Sequence, residues 1–296
     1  MKIIRHPKRK KLKGCVVALG TFDGVHLGHQ KVLKQAVKLA KKTKVASLAI
    51  TFDPHPQQVV VPSRGLRLLT TLAEREALFC SLGIDGVVVV RFSKEMQNLS
   101  AEEFVERYLV KKLGVSRVVV GYDYAFGKKR SGSLVQLKRI GKKFGFKVVV
   151  VPPVHRGALM IKSGLIRELV SKGQFKQAIS LLGHSFQITG KVVKGKGIGK
   201  TLGFPTANLE TDQYKLIPAQ GVYAGSVNKR KCAVNIGASP TFGINKTTVE
   251  VHIPNFHQNL RGQELMVSLT RRLRDEQQFS DVEKLKAQIK KDISKI

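Results

Sequence analysis

The sequence has 296 residues, enough for two domains, and 42% of them are hydrophobic, which is typical of globular proteins. No apolar stretch approaches the length of a membrane span, and the basic N-terminus is not followed by a secretory apolar segment. We therefore expect a soluble, cytoplasmic protein with no membrane partner.

The formal net charge of +33 would attract nucleic acid, an anionic membrane or polyphosphate ligands. The lysines are spread along the chain, however, mostly on the polar faces of predicted helices, and this favours a solvated surface over a binding groove. The chain has no Trp and only 5 Tyr, so no aromatic platform for single-stranded nucleic acid is evident. Nucleic-acid binding stays open but is not favoured.

The three cysteines, Cys15, Cys80 and Cys232, are far apart and include no CxxC pair. Cys15 opens a strand-like run, and Cys80 lies on the apolar face of a helical pattern. We expect buried thiols rather than disulfides or zinc ligands.

After a basic lead-in over residues 1–13, short apolar runs alternate with helical patterns. The strand-like runs are Cys15–Leu19, Val45–Phe52, Gly86–Phe92, Arg117–Gly121 and Phe146–Val151. The helical patterns include Leu72–Leu82, Leu134–Phe144 and Ala101–Leu113, the last with a capping box of Ser100 and Glu103. Nearly continuous apolar strands alternating with helices predict a parallel α/β sheet covered on both faces, with ligands beyond the carboxyl ends of its strands.

The stretch Gly20–Gln30 follows the first apolar run and opens an amphipathic helical pattern. It places His26 and His29 at a predicted helix N-terminus, where free N–H groups and a partial positive charge favour phosphate binding. Gly28, between the histidines, would let a ligand approach the backbone closely. The alternative is an ordinary strand-to-helix turn with two solvated histidines.

Two polar loops, Thr51–Pro56 and Gly121–Gly132, also follow predicted strands. Taken alone, each indicates only a loop after a strand. Their position at the carboxyl ends of parallel strands nevertheless brings them to the expected ligand side of the sheet.

Two short helical patterns follow, one opening at Lys162–Arg167 and one over Gly173–Gly183, and then the periodicity changes. Short alternating stretches now predict a small antiparallel β-barrel; they are Phe186–Val193, Gly221–Val227, Cys232–Ile236, Thr247–Ile253 and Glu264–Leu269. Ser280 and Glu283 are expected to cap a final helix. We place the domain boundary near Ser185.

The barrel region contains a glycine-rich loop with Gly195, Gly197 and Gly199, which runs into Pro205-Thr206-Ala207-Asn208. Glycines free backbone N–H groups to surround phosphates. The Thr206 hydroxyl and the Asn208 carbonyl are hard oxygen ligands that suit magnesium. Glycine-rich loops are often mere turns, so this loop is weak evidence by itself.

Val249, Val251 and Ile253 alternate with Glu250 and His252 along one predicted strand. Because successive side chains of a strand point to opposite faces, Glu250 and His252 point away from the apolar face. The alternative for Glu250 is an ordinary solvent-facing residue, but the presence of the Pro205–Asn208 motif in the same region favours a functional carboxylate.

Together, these motifs resemble those of the bacterial bifunctional riboflavin kinase/FAD synthetase family. The FAD synthetase motifs are GTFDGVHLGHQ at 20–30, TFDPHP at 51–56 and GxDxxFGxxRxG at 121–132. The riboflavin kinase motifs are LGFPTAN at 202–208, GVY at 221–223, NIGASPTF at 235–242 and VEVH at 249–252. The resemblance covers nearly the whole chain after residue 13.

The resemblance implies a Rossmann-like FMN adenylyltransferase domain of the HxGH nucleotidyltransferase superfamily over residues 1–184, and a riboflavin kinase domain over 185–296. In the first domain it implies nucleotide contacts from Gly20, Phe22, Gly28, Ser163 and Arg167. It implies flavin contacts there from Asp53, His55, Pro56, Asp123 and Phe126. In the second domain it implies that the nucleotide lies against Gly195, Gly197 and Gly199, that Mg²⁺ binds Thr206 and Asn208, and that the flavin contacts Arg274.

The two reactions need different groups. Phosphorylation of riboflavin uses a ribityl hydroxyl as nucleophile, which must lose a proton, so we assign Glu250 as the catalytic base. Adenylyl transfer uses the phosphate of FMN, which is already ionised and needs no base. That step requires stabilisation of charge on ATP, which we assign to His26 and His29.

The chain departs from the family pattern in two regions. It has Lys162 and Gly164 where the family has hydroxyl residues. It also differs within Pro254–Phe256 and Leu260–Gly262, two segments that shape a flap in members of the family. One alternative is therefore a riboflavin kinase with an impaired adenylyltransferase domain. A second, motivated by the net charge of +33, is a flavin-responsive nucleic-acid-binding paralogue. We expect the bifunctional enzyme, with ATP as co-substrate and with riboflavin, FMN and FAD as its other ligands.

Overall fold

The computed structural model describes residues 2–5, 14–195, 197–241 and 244–296, without the side chains of 2–5, 130, 239–241 and 244–246. Most of the basic lead-in, Lys196 of the glycine-rich loop and Phe242 of the NIGASPTF motif lie outside the described residues. Within the described ranges, none of the helices combines the length and apolar character that crossing a bilayer requires.

By compactness the chain divides into two units. The first comprises the described residues up to Leu66 together with Arg75–Lys162, and the second comprises Arg67–Glu74 with Ser163–Ile296. The second unit therefore includes a short segment from the N-terminal half of the chain.

The first unit is built on a parallel sheet. Its strands are β1 (Lys2–Arg5), β2 (Val16–Leu19), β3 (Ser47–Asp53), β4 (Gly86–Arg91), β5 (Arg117–Gly121) and β6 (Lys147–Val151). They pair in the order β1–β4–β3–β2–β5–β6, and every pair is parallel. The direction in which strands are added reverses between β2 and β5, as in Rossmann folds. The predicted parallel α/β sheet is confirmed, and β1 adds an edge strand that the basic composition of residues 1–13 concealed.

Helices connect these strands. They are α1 (Leu27–Lys42), α2 (Pro56–Val60), α3 (Leu72–Ser81), α4 (Lys94–Gln97), α5 (Ala101–Phe104) and α6 (Leu134–Phe144). A π-helical segment, Val105–Val110, continues α5, and a small hairpin follows β6 with strands β7 (His155–Arg156) and β8 (Leu159–Met160). The helical patterns predicted from the sequence are thus confirmed.

Alternate residues of the sheet build one core. Val17, Leu19 and Ile50 lie in an apolar cluster with Phe104 of α5 and Leu137 of α6. Helix α1 contacts β2, β3 and β5, and it buries residues such as Val32 and Leu33 outside that cluster. Since successive strand residues point to opposite faces, the sheet is covered on both sides.

The three cysteine thiols differ in burial. Cys15 and Cys232 are buried, as predicted, and burial raises the pKa of their thiols to about 11 and about 12. Cys80 is exposed, so the prediction that it is buried is wrong. The buried face of α3 is formed instead by Arg75, Leu78 and Phe79, which leaves the Cys80 side chain toward solvent.

The second unit contains a closed antiparallel barrel. Its strands are β9 (Phe186–Val193), β10 (Ala207–Thr211), β11 (Gly221–Val227), β12 (Arg230–Thr241), β13 (Ile244–His252) and β14 (Glu264–Arg274). They pair in the cyclic order β10–β13–β12–β11–β14–β9. Its helices are α7 (Ser163–Ser171), α8 (Phe175–Leu182), α9 (Ile198–Thr201) and α10 (Val282–Ile293). The predicted barrel is confirmed, with β10 as an additional strand that begins inside the Thr206–Asn208 motif.

Helices α7 and α8, which the sequence prediction put in the first domain, group with the barrel by compactness. The Phe175 ring of α8 packs edge-to-face on Phe186 and Tyr223, with centroid distances of 6.1 and 5.0 Å. The functional boundary near Ser185 stays a prediction.

Two predicted helix caps have different outcomes. Ser100 and Glu103 form the expected capping box, with each side chain accepting from the other residue's backbone N–H. The final helix, however, is capped by Asp281 rather than Ser280, because Asp281 Oδ1 accepts from the N–H of Lys284 at 2.8 Å. A carboxylate at a helix N-terminus also interacts favourably with the helix dipole.

A buried ion pair links Arg67–Glu74 to the remainder of the second unit. Glu74 Oε2 lies 2.7 Å from Lys215 Nζ, and both side chains are fully buried. The N–H of Thr189 donates to Glu74 Oε1 at 2.8 Å, and Lys215 Nζ also donates to the carbonyl of Leu69 at 2.6 Å. Because both charges are removed from water, each requires the other.

Substituting Lys215→Met would leave the Glu74 carboxylate buried without its cation. We expect the free energy of unfolding of the second unit to fall by about 3–5 kcal/mol, measured by urea denaturation. The control is Lys172→Met, which removes an exposed ion pair with Glu168 and should change this free energy by about 0–1 kcal/mol. Equal effects of the two substitutions would contradict a stabilising role for the buried pair.

Candidate active sites

The chain leaves β2 through a strained turn. Phe22, Gly24 and Val25 have φ angles of 53°, 83° and 39°. A positive φ is costly for a β-branched residue such as Val25 and persists only where the surroundings impose it. Here the N–H of Val25 donates to the carbonyl of Phe22 at 3.1 Å, and Gln30 Nε2 donates to the carbonyl of Val25 at 3.0 Å. These bonds hold the turn against the first turn of α1.

The two histidines of this turn lie together, as the sequence predicted. His26 is the N-cap of α1, and its Nδ1 accepts from the N–H of His29 at 3.3 Å. The two rings stack with a centroid distance of 3.6 Å. A Cβ on Gly28 would lie 3.1 Å from His26 Cε1, so a side chain at this position would crowd the ring. The catalytic role of the pair stays a prediction.

Phe22 and Gly20, predicted to bind nucleotide, support these histidines. The Phe22 ring is buried and packs edge-to-face on His29 at 5.4 Å and on Phe79 at 5.6 Å. A Cβ on Gly20 would lie 3.0 Å from the Phe22 ring, so the glycine makes room for it. The contacts of Phe22 fix the His29 ring, and its contact with nucleotide stays a prediction.

The other two predicted loops follow β3 and β5, the two strands that flank β2 in the sheet. Asp53 and Asp123 are exposed at the ends of these strands. His55 is buried and caps α2, where its Nδ1 accepts from the N–H of Gln57 at 3.2 Å. Because the carboxyl ends of neighbouring parallel strands share one edge, the predicted flavin-binding loops and the histidine turn meet at that edge.

The remaining predicted flavin residues of this unit, Pro56 and Phe126, differ in exposure. Pro56 is the half-buried first residue of α2. Phe126 is buried between Tyr124 and Phe104, with ring centroids 5.5 and 5.9 Å away. Phe126 therefore shapes the loop after β5 from within, and its contact with flavin stays a prediction.

Sequence reasoning missed a buried arginine beneath this edge. Arg75 is 1% exposed, and its Nη1 donates to the carbonyl of Thr21 at 3.0 Å, to Thr51 Oγ1 at 2.7 Å and to the carbonyl of Phe52 at 3.3 Å. Its three acceptors come from the ends of β2 and β3. One cation thus ties the histidine turn to the loop that carries Asp53.

Ser163 and Arg167, predicted to bind nucleotide, belong to the second unit. Ser163 begins α7, and Arg167 Nε donates to the carbonyl of Arg67 at 3.0 Å. A Cβ on Gly164 would meet no atom within 4 Å. Their nucleotide contacts stay a prediction.

In the barrel, strand register places three polar residues in one row. Asn208 of β10 is opposite Glu250 of β13, and Glu250 is opposite Asn235 of β12. Val249 and Val251 are buried, so the predicted alternation is confirmed and Glu250 lies on the outer face. Directly opposite residues have Cβ atoms about 4.5–5.5 Å apart, within reach of side-chain interaction.

The glycine-rich loop lies against the predicted magnesium ligands. A Cβ on Gly195 would fall 2.1 Å from Asn208 Nδ2, and a Cβ on Gly199 would fall 3.2 Å from Thr206 Oγ1. Gly197 has a φ of 78°, in the left-handed region that favours glycine. Thr206 precedes Asn208 by two residues, and both are half-buried. The loop therefore packs directly on the two oxygen-bearing side chains.

A cavity of about 200 Å³ opens beside Thr206. It is lined by residues that include Val192, Thr206, Val251, Phe256, Asn259 and Arg261. One of these, Arg261, is a residue at which the chain departs from the family pattern, so that departure lies in the wall of this cavity.

Arg274, predicted to contact flavin, forms a half-buried ion pair with the final helix. Its Nε lies 2.9 Å and its Nη2 2.8 Å from Asp292 Oδ2, and Gln288 Nε2 donates to Asp292 Oδ1 at 2.8 Å. In the strand register Arg274 is opposite Val222, and Val222 is opposite Asn235. Arg274 is therefore in the same cross-strand row as Glu250, and its ion pair holds α10 against the barrel. Its contact with flavin stays a prediction.

Comparison with known proteins assigns both halves of the chain. The FAD synthetase family model matches residues 8–165, and the riboflavin kinase family model matches residues 182–296. Three curated relatives bear the name bifunctional riboflavin kinase/FMN adenylyltransferase. The Listeria monocytogenes protein is 38% identical, covering 94% of this chain and 90% of its own. The Buchnera aphidicola (Schizaphis graminum) protein is 36% identical, covering 99% and 97%. The Escherichia coli protein is 34% identical, covering 99% and 96%.

One solved structure shares the fold over almost its full length. It comes from Streptococcus pneumoniae and is described as a macrolide-efflux protein. The TM-score is 0.87 at 32% identity, with 99% of this chain and 98% of that chain covered.

Proposed function

Because the chain belongs to the bifunctional riboflavin kinase/FMN adenylyltransferase family, we propose how its residues divide the two reactions. The enzyme phosphorylates riboflavin with ATP to give FMN, and it then adenylylates FMN with a second ATP to give FAD and pyrophosphate. The main support for assigning the kinase reaction to the barrel residues is the strand register, in which the carboxylate of Glu250 is directly opposite Asn208.

For the kinase reaction, Glu250 accepts the proton of the terminal ribityl hydroxyl as its oxygen attacks the γ-phosphate of ATP. A hydroxyl is a poor nucleophile until it loses that proton, so a carboxylate within hydrogen-bond reach supplies what the step requires. The half-buried position of Glu250 on the outer face of β13 is compatible with substrate access. The gain expected from such a base is about 10²–10⁴-fold in rate.

Mg²⁺ fits beside this carboxylate. Thr206 and Asn208 present a hydroxyl and an amide oxygen, and Mg²⁺ prefers a few hard oxygen ligands completed by phosphates and water. When bound, the ion neutralises charge on the phosphates of ATP. Gly195 and Gly199 pack on these two side chains, so the loop backbone lies where it can contact phosphate oxygens.

For adenylyl transfer, His26 and His29 stabilise negative charge on ATP at the start of α1. His26 accepts a hydrogen bond at Nδ1, so a neutral ring carries its proton at Nε2 and donates from that atom. The first turn of α1 contains no acidic residue, so no carboxylate of that turn opposes the positive end of the helix dipole. The ionised phosphate of FMN attacks the α-phosphate of ATP, and pyrophosphate departs with this charge stabilised.

The substrates of adenylyl transfer are proposed to lie along the edge formed by the three loops. Gly20, Phe22 and Gly28 shape the nucleotide side through the histidine turn. Ser163 and Arg167 of α7 stay proposed nucleotide contacts on the ground of the family resemblance alone. Asp53, His55, Pro56, Asp123 and Phe126 shape the flavin side. In the kinase reaction, Arg274 is the proposed flavin contact.

Exchanging single residues should separate the two reactions. Glu250→Gln keeps the shape of the side chain but removes the base, so we expect kcat for riboflavin phosphorylation to fall about 10²–10⁴-fold with FMN adenylylation unchanged. His29→Ala removes a charge-stabilising ring, so we expect kcat for adenylylation to fall about 10²–10³-fold with phosphorylation unchanged. Each half-reaction is measured separately, from riboflavin or from FMN, with product separation by chromatography.

Each variant serves as the control for the other. Wild-type phosphorylation by the Glu250→Gln protein would refute the assignment of the base. Loss of both reactions in either variant, with normal thermal unfolding, would refute the division into two residue sets.

The packing of Gly195 on Asn208 gives a second prediction. Gly195→Ala would place a methyl group 2.1 Å from Asn208 Nδ2, so the amide must move. Since a displacement of about 1 Å in a catalytic group costs about 10²-fold, we expect kcat/KM for ATP in the kinase reaction to fall by roughly that factor. Gly164→Ala, which meets no atom within 4 Å, is the matched control and should leave the kinase unchanged. A fully active Gly195→Ala kinase would argue against Asn208 as a metal ligand.

A further inference from the structure

We propose that Asn235 is a positioning residue of the kinase reaction, whose side-chain amide orients the Glu250 carboxylate toward the ribityl hydroxyl. This inference rests on the proposed role of Glu250 as the base. Asn235 would act through Glu250 rather than on the substrate itself.

The first support is the position of Asn235 in the barrel. It is directly opposite Glu250 in the β12–β13 pair. Val234 and Ile236, its neighbours on β12, are fully buried, so Asn235 points to the outer face that carries Glu250. The side chain is half-buried, which limits the competition of water for its hydrogen bonds.

The second support is the chemistry of the row. Glu250 has one amide on each side, Asn208 on β10 and Asn235 on β12. Asn208 Nδ2 faces the glycine-rich loop, since a Cβ on Gly195 would fall 2.1 Å from it, and we therefore assign the N–H groups of Asn235 to the carboxylate. A carboxylate that accepts such a bond on one oxygen is held in one rotamer, and its other oxygen can take the proton of the hydroxyl.

The substitution Asn235→Leu tests the proposal, because it conserves the approximate volume and removes both N–H groups. We expect kcat for riboflavin phosphorylation to fall about 10–100-fold, as for a misplaced catalytic group, with KM for riboflavin and for ATP within about 2-fold of wild type. Asn235→Asp conserves the shape but cannot donate from an ionised carboxylate, so it should not restore kcat. FMN adenylylation and thermal unfolding should not change.

Ser226→Ala is the control. It removes a half-buried polar group from β11 of the same barrel, outside the row of Glu250, and should leave both kinetic constants unchanged. A fall in kcat equal to that of Asn235→Leu would mean that any polar loss in the barrel suffices, and the proposal would be overturned.

Combining Asn235→Leu with Glu250→Gln distinguishes action through Glu250 from an independent effect. If Asn235 acts through the carboxylate, the second substitution should change the residual rate of Glu250→Gln by less than about 2-fold, since residues that act as a unit are not additive. Full additivity, or a wild-type kcat in Asn235→Leu alone, would overturn the proposal. A wild-type rate in Glu250→Gln alone would instead overturn the assignment of the base, so the two failures are distinguishable.

Discussion

The pairing of β-strands decides which polar side chains lie together in each unit of this chain. In the barrel, register sets Glu250 between Asn208 and Asn235, on the face opposite the buried Val249 and Val251. A slip of one residue would turn Glu250 into the core and a valine toward the outer face. In the parallel sheet, adjacency of β3, β2 and β5 brings three loops to one edge. Side chains distant in sequence meet only because these pairings are fixed.

The proposed groups match the charge changes of the two reactions. Phosphorylation begins from a neutral hydroxyl, and the barrel offers a carboxylate to take its proton. Adenylyl transfer begins from an ionised phosphate, and the sheet offers the stacked imidazoles of His26 and His29 at the positive end of α1. Arg75 supports this turn, because its guanidinium donates hydrogen bonds to Thr21, Thr51 and Phe52. The proposed roles of Glu250 and of the two histidines therefore agree with what each reaction requires.

Local pattern predicted most of the fold, since Phe186–Val193 and Leu134–Phe144 have the bounds expected from alternation and helical period. The environments of residues that depend on distant segments were harder to predict from the sequence. The exposed side of α3 at Cys80 and the role of Arg75 follow from how that helix packs, which its own sequence does not reveal. Asn235 stood in a known motif, but its place opposite Glu250 required the register of β12 and β13. The N-cap of the last helix is Asp281, one residue after the predicted Ser280.

The central claim is that two sets of residues perform the two reactions, and mixing single-site variants tests it most directly. The Glu250→Gln and His29→Ala proteins are incubated with riboflavin, ATP and Mg²⁺, alone and together, and the flavins are separated over time. The account predicts that the Glu250→Gln protein converts riboflavin far more slowly than wild type, that the His29→Ala protein accumulates FMN, and that the mixture forms FAD faster than either variant alone. Formation of FAD at the wild-type rate by either variant alone would contradict it.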